Sequence, residues 1–192
     1  MDKKSFPQVI GVASGKGGAG KTTVSINLAV ALAIFIEDGS PIFFKQKRVG
    51  INYTFFNIYK FRSMKKNTPN VATHLLENPA FYLLRIGGVL RKLSLDELPN
   101  LINIINGEMV FVGPRPALYN QDDLMALRVA AGVDKLKPGI TGWAQINGRD
   151  EISIEAKVTL EKEYLERRSV WFDLLIVVRT FTNVLFSKGV AH

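Results

Sequence analysis

The sequence predicts a mixed α+β domain, mostly helical, carrying one small β-hairpin and preceded by a β-strand, phosphate-loop and helix segment. Three observations lead there. Two strand-like runs, Ile42 to Val49 and Tyr53 to Phe61, are separated only by Gly50-Ile51-Asn52, the spacing of a hairpin. Helical patterns fill most of the remainder: from Pro79, from near Ser94, and over Asp122 to Ala131, Ile152 to Arg168 and Val170 to Ser187. No internal repeat or low-complexity tract interrupts them.

A chain of 192 residues can hold one sizeable core, or one domain with an appendage. Lysine and arginine outnumber aspartate and glutamate by 25 to 17, a net charge of +8, so an anionic partner is expected. Nucleic acid, anionic lipid and phosphorylated small molecules all qualify, and an apolar fraction of 47% alongside that charge favours lipid, so no nucleic-acid partner is expected. The absence of cysteine excludes disulfides and thiolate metal sites and fits a reducing cytoplasm.

Residues 8–13 read as a short buried strand, followed by a glycine-rich loop and an apolar helix reaching about Ile36. The loop, Gly15-Lys-Gly-Gly-Ala-Gly-Lys-Thr22, fits the pattern G-x-x-x-x-G-K-T. In such a loop Gly15 and Gly20 let backbone N–H groups turn toward a phosphate, Lys21 neutralises its oxygens and Thr22 reaches a magnesium ion. Lys16 adds a resemblance to the deviant phosphate loops of MinD- and ParA-type ATPases, which implies ATP as a partner. Nothing after Ile36 continues the parallel sheet such an ATPase needs, so a fused or replaced N-terminal segment over residues 1–33 is the leading reading. The stretch Val24 to Ile36 is shorter than the roughly 20 residues of a spanning helix. It is expected to be a buried core helix, or one that dips into a single leaflet.

Glu37-Asp-Gly-Ser-Pro41 is a turn cluster beside the domain boundary, with the second unit running over residues 34–192. Past the hairpin, Met64 to Asn78 is polar and loop-like. Met109 to Val112 reads as a strand ending in Gly113-Pro-Arg-Pro116, whose two prolines forbid helix or ladder and stiffen the backbone that aims Arg115. Lys137 to Gly142 reads as a turn feeding a strand over Trp143 to Asn147.

The sharpest chemistry lies in Ser94-Leu-Asp-Glu97. Ser94 and Glu97 fit a capping box that would open a helix there and place Asp96 and Glu97 in its first turn, although Pro99 could move the start a residue or two on. The N-terminal dipole would keep Asp96 ionised as a nucleophile, and its neighbour could hold a divalent cation. Plain helix capping is the alternative. Lys60, Arg62 and Arg115 supply cations suited to phosphate oxygens, or are ordinary surface charges. Together these groups point to phosphoryl transfer, which relies on positioning and charge neutralisation.

Five blocks then carry a resemblance. Residues 37–50, 59–64, 95–101, 112–116 and 137–149 resemble, in order, those of the small monotopic phosphoglycosyl transferases, bacterial sugar transferases of glycan assembly. The resemblance implies that Asp96 attacks the β-phosphate of a UDP-sugar and expels UMP, after which a polyprenyl phosphate takes the sugar phosphate. It implies that Glu97 binds Mg2+, that Lys60, Arg62 and Arg115 hold phosphates, and that Pro138, Gly139, Thr141, Gln145, Asn147 and Arg149 line the nucleotide-sugar pocket. Asp173 matches a position near the active site. The final helix, with Trp171 and Phe172 near its start, reads as interfacial, placing the protein on the cytoplasmic face of the bacterial inner membrane. Members usually begin with a membrane helix kinked at a serine-proline pair, whereas no proline lies between Gln8 and Gly39 here. An ATP-binding regulatory module and an inactive membrane scaffold are the alternatives from other functional classes.

Overall fold

A computed structural model describes residues 19–69, 76–148 and 152–185. The strand expected over residues 8–13, together with Gly15, Lys16 and Arg149, lies outside them. Helix α1, Ala19–Asp38, is continuous through residues 33 and 34, so the expected domain boundary falls inside a helix. Its second half is two-faced. Val30 and Ile34 are buried with Phe61, Leu84 and Leu90, whereas Leu32, Phe35 and Ile36 are exposed, the last at 75%. Among the described residues no helix is long and apolar enough to cross a membrane.

The expected hairpin forms. Strands β1, Phe43–Val49, and β2, Phe55–Phe61, pair antiparallel from Phe43 opposite Phe61 to Val49 opposite Phe55, joined by a short 3-10 turn. Alternation along β2 buries Phe56 and Ile58 against Met109, which fixes the face that meets the rest of the domain. Short helices α2, Pro79–Tyr82, and α3, Gly87–Lys92, lead to a 3-10 segment, Leu95–Asn100, and then to α4, Leu101–Ile105. Asn103, fully buried at the centre of α4, accepts from Tyr59 N and donates to Asn57 O and Glu108 Oε2. It ties the helical part to β2 one residue before Lys60.

The second sheet corrects the sequence reading. Strand β3, Val110–Val112, pairs in parallel with β4, Gly139–Thr141, so the strand occupies the expected turn. The expected strand at 143–147 is instead one helical turn, α6, Trp143–Ile146. Close backbone approach is the reason. A Cβ on Gly139 would lie 2.2 Å from Gly113 N, and one on Gly142 would lie 2.1 Å from Gly113 O. Glycines that looked like turn formers are the residues that let β4 lie against the Gly113–Pro116 loop.

Helices α5, Asp122–Ala131, α7, Ile154–Arg167, and α8, Val170–Leu185, complete the domain. Ser153 caps α7 by accepting from Ala156 N at 3.2 Å. Tyr164, Phe172 and Ile176 from α7 and α8 close a core with Val112, Val133 and Leu136. The outer face of α8 leaves Val170 and Trp171 at 83% and 80% exposure, and Leu174, Val178 and Phe181 exposed beyond them.

Candidate active site

Three segments converge on the carboxylate pair: the end of β2, the 3-10 segment and the Gly113–Pro116 loop. Lys60 Nζ lies 2.6 Å from Glu97 Oε1, and Arg115 Nη1 lies 3.6 Å from the same oxygen. Asp96 is buried beside them. Its neighbourhood holds two cations, Lys60 and Arg91, and the like charge of Glu97.

Burial is the largest influence on Asp96, pushing its carboxyl above the ordinary value of 3.8; Lys60 and Arg91 pull it down and Glu97 pushes it up. The expected helix-dipole protection is therefore not what governs this group. Lys60 is shifted the other way. Its ammonium is pushed below 10.5, chiefly by burial, while the adjacent Glu97 carboxylate works to keep it charged. Two groups with opposed shifts in one buried cluster are a mark of a functional site.

The capping box does not form. Ser94 takes a left-handed conformation, φ 53° and ψ 24°, and its side chain caps nothing. Glu97 N donates to Ser94 O at 3.2 Å, closing a tight turn, and Pro99 is accommodated inside the 3-10 segment. A non-glycine residue held there is uncommon and strained, and such strain gathers at sites that need a fixed geometry.

Arg62 departs from the expected phosphate role. Its Nε donates to Pro41 O at 2.6 Å, and its Nη2 to Gly39 O at 2.7 Å and Asp38 O at 3.3 Å. Nη1 pairs with the Asp38 carboxylate and reaches Met64 O at 3.3 Å. All five guanidinium donors are thereby used on Asp38 at the end of α1, on Gly39 and Pro41 just beyond it and on Met64, leaving none for a phosphate. Arg62 is a clamp.

The block expected to line a nucleotide-sugar pocket divides. Pro138 and Gly139 are buried and engaged through their backbones: Pro138 O accepts from Val110 N, and Gly139 N donates to Pro114 O. Thr141 turns its hydroxyl to Thr180 on α8, 2.7 Å away. Asn147 is exposed and donates to Trp143 O. Gln145, with Gly142, Trp143 and Ala144 of the same block, lines a crevice with Gly113, Arg115, Glu161 and Tyr164, and its buried Oε1 has no partner there. Gly139 N and Thr141 O hold the arginine loop, through Pro114 O and Gly113 N.

Asp173 sits in the first turn of α8 and accepts from Tyr164 OH at 2.8 Å; the same hydroxyl reaches Val112 O at 3.2 Å. It therefore braces the strand that feeds Gly113. Gly20, Lys21 and Thr22 lie in the opening turns of α1. Sequence reasoning missed Arg91, whose Nε also donates to Ser63 Oγ at 3.0 Å. It missed Arg128 and Glu161 too, a buried pair joining α5 to α7. A basic residue one turn ahead of the carboxylates was the available signal for Arg91; pairing between distant helices leaves none.

The profile of the bacterial sugar transferase family matches residues 19–187. The sugar transferase EpsL of Bacillus subtilis is 41% identical over 169 residues, covering 88% of this chain and 82% of that protein. The exopolysaccharide production protein ExoY of Sinorhizobium fredii is 35% identical, covering 96% and 93%. The UDP-glucose:undecaprenyl-phosphate glucose-1-phosphate transferase of Escherichia coli is 40% identical over 83% of this chain, a match that spans 36% of that longer protein.

Proposed function

The chain belongs to the bacterial sugar transferase family, and from that premise we propose that it moves a sugar 1-phosphate from a UDP-sugar to undecaprenyl phosphate, releasing UMP. The single observation that carries the chemistry is the buried Asp96 and the partly buried Glu97 beside it, under Lys60, Arg91 and Arg115. Three cations beside two carboxylates offer a dianionic diphosphate a site of net positive charge.

In the first step an Asp96 carboxylate oxygen attacks the β-phosphorus. The bond from that phosphorus to the bridging oxygen breaks, and UMP departs with the electron pair. In the second, a phosphate oxygen of undecaprenyl phosphate attacks the same phosphorus and the Asp96 O–P bond breaks, restoring the carboxylate and giving the lipid diphosphate sugar. Lys60 and Arg115 neutralise the charge that builds on the phosphoryl oxygens, and Lys60 and, after it, Arg91 favour the ionised form of Asp96 against the burial that opposes it.

Among the described residues no three potential ligands gather into an all-protein metal site. Two adjacent carboxylates do fit Mg2+ as it is usually bound with phosphates, through one or two carboxylates and the substrate's own oxygens. Glu97, with Asp96 beside it, would hold the ion, which when bound screens the diphosphate and eases departure of UMP.

The exposed apolar residues of α1 and α8 support placement on the membrane surface from one side, at the cytoplasmic face of the inner membrane where UDP-sugars are available. The test is UMP release from a panel of UDP-sugars, with undecaprenyl phosphate in detergent or vesicles and with Mg2+ added or chelated. Turnover by wild type that is lost in Asp96→Asn supports the reading. Equal turnover in both overturns it.

A further inference from the structure

The Arg128 and Glu161 pair is a buried charged feature that the transfer chemistry leaves unused. Both side chains are buried, at 6% and 2% exposure, and Arg128 Nε meets Glu161 Oε2 at 2.7 Å while Nη2 reaches Oε1. An interior ion pair is a poor source of stability, because desolvating the charges offsets their attraction and an apolar replacement often folds as well. Its geometry suggests another use. Arg128 Nη2 also donates to the backbone carbonyl of Arg115 at 2.9 Å, the residue whose guanidinium faces Glu97.

We infer that Arg128, held by Glu161, is a positioning residue for the transfer reaction: it fixes the backbone of the Pro114-Arg115-Pro116 loop so that Arg115 is presented to the sugar diphosphate. The other supports of the loop agree. Two prolines stiffen it, Gly113 N donates to Thr141 O at 2.8 Å, and Gly139 N donates to Pro114 O at 2.9 Å. These bonds hold residues 113 and 114. The Arg115 carbonyl is taken by Arg128, and the Pro116 carbonyl accepts from Arg48 Nη1 at 3.0 Å. Glu161 orients the planar fork of Arg128 through both carboxylate oxygens, a geometry that lysine cannot reproduce.

The inference rests on Arg115 acting on the diphosphate, as proposed above, and a double-mutant cycle separates the two claims. The apolar pair Arg128→Met with Glu161→Leu, Arg115→Ala, and their combination are assayed for UMP release, beginning with UDP-glucose and UDP-N-acetylgalactosamine as donors. The expected result is a melting temperature close to wild type for the apolar pair and a fall of about tenfold or more in kcat/KM. In the Arg115→Ala background the same replacement should cost less than about twofold, because the group it positions is gone.

A folded apolar-pair variant with wild-type kcat/KM overturns the inference, and so do losses that multiply in the combination. Unchanged activity in Arg115→Ala overturns the reading of the site and this inference with it. Should the apolar pair fail to fold, Arg128→Lys serves in the same cycle: it keeps the charge and removes the fork, and the same loss confined to the Arg115 background is required.

Discussion

Lys60 and Arg62 stand two residues apart at the end of β2, and both are cations set against a carboxylate, yet they belong to regions that work in opposite ways. Around Arg62 one guanidinium meets one carboxylate and four backbone carbonyls, so every donor is matched and the result is a fixed corner. Around Lys60 three cations crowd two carboxylates, burial opposes the charge on Asp96 and on Lys60 alike, and the proposed diphosphate would relieve the imbalance. Saturation makes architecture; a charge surplus under desolvation makes a site.

The largest expected effect comes from Asp96→Asn, which should lower turnover by about 10^3-fold or more, since an amide cannot serve as the nucleophile. The same variant should be more stable than wild type at neutral pH. The sign follows from the shift: folding raises the carboxyl's pKa, so stability is lost as pH climbs from the ordinary carboxylate value to the raised one. Removing the ionisation removes that loss, and a thermal melt beside the activity assay reads both outcomes.

Lys60→Met comes next. A fall of about 10^2-fold in kcat/KM is expected from loss of one partly buried cation at the reacting phosphate. Because Lys60 lowers the Asp96 pKa, the acid limb of the pH-rate profile should move to higher pH in this variant. In wild type, activity should also decline at a pH below that of an ordinary lysine, as the depressed Lys60 ammonium loses its proton. An unmoved acid limb would separate Lys60 from the carboxylate.

Arg62→Met should divide the two regions most cleanly. Melting falls by several degrees because backbone carbonyls at the end of α1 lose their donors, while kcat/KM of the folded fraction stays within about threefold of wild type. A large loss of kcat/KM with stability intact would return Arg62 to the phosphate site. Smallest of all is Thr141→Val. Its hydroxyl is committed to Thr180, so KM for the UDP-sugar should change by less than about twofold and only stability should register the change.

The same contrast explains how much could be read from sequence. The hairpin, α5, α7 and α8 were legible because each announces itself locally, through strand-like runs with a short connection or through a helical pattern. Asp96, Glu97, Lys60 and Arg115 were legible because carboxylates and prolines in short runs limit what the backbone can do. Segments set by non-local packing were not. Gly139 and Gly142 looked like a turn, and only the approach of Gly113 makes them a strand and its exit. Ser94 looked like a cap, and only the closure of the 3-10 segment places it in a left-handed conformation. Arg62 and Arg115 carry the same chemistry in sequence; the end of α1 claims one, and the carboxylate turn faces the other.

The central claim is direct attack by Asp96 on phosphorus, and it is tested most directly by incubating the protein with a UDP-sugar and Mg2+ while withholding undecaprenyl phosphate. The account predicts a burst of UMP approaching one equivalent and a peptide spanning Asp96 that gains the mass of a sugar phosphate, both absent in Asp96→Asn. UMP formed only when undecaprenyl phosphate is present, with no adduct on that peptide under any condition, would contradict it.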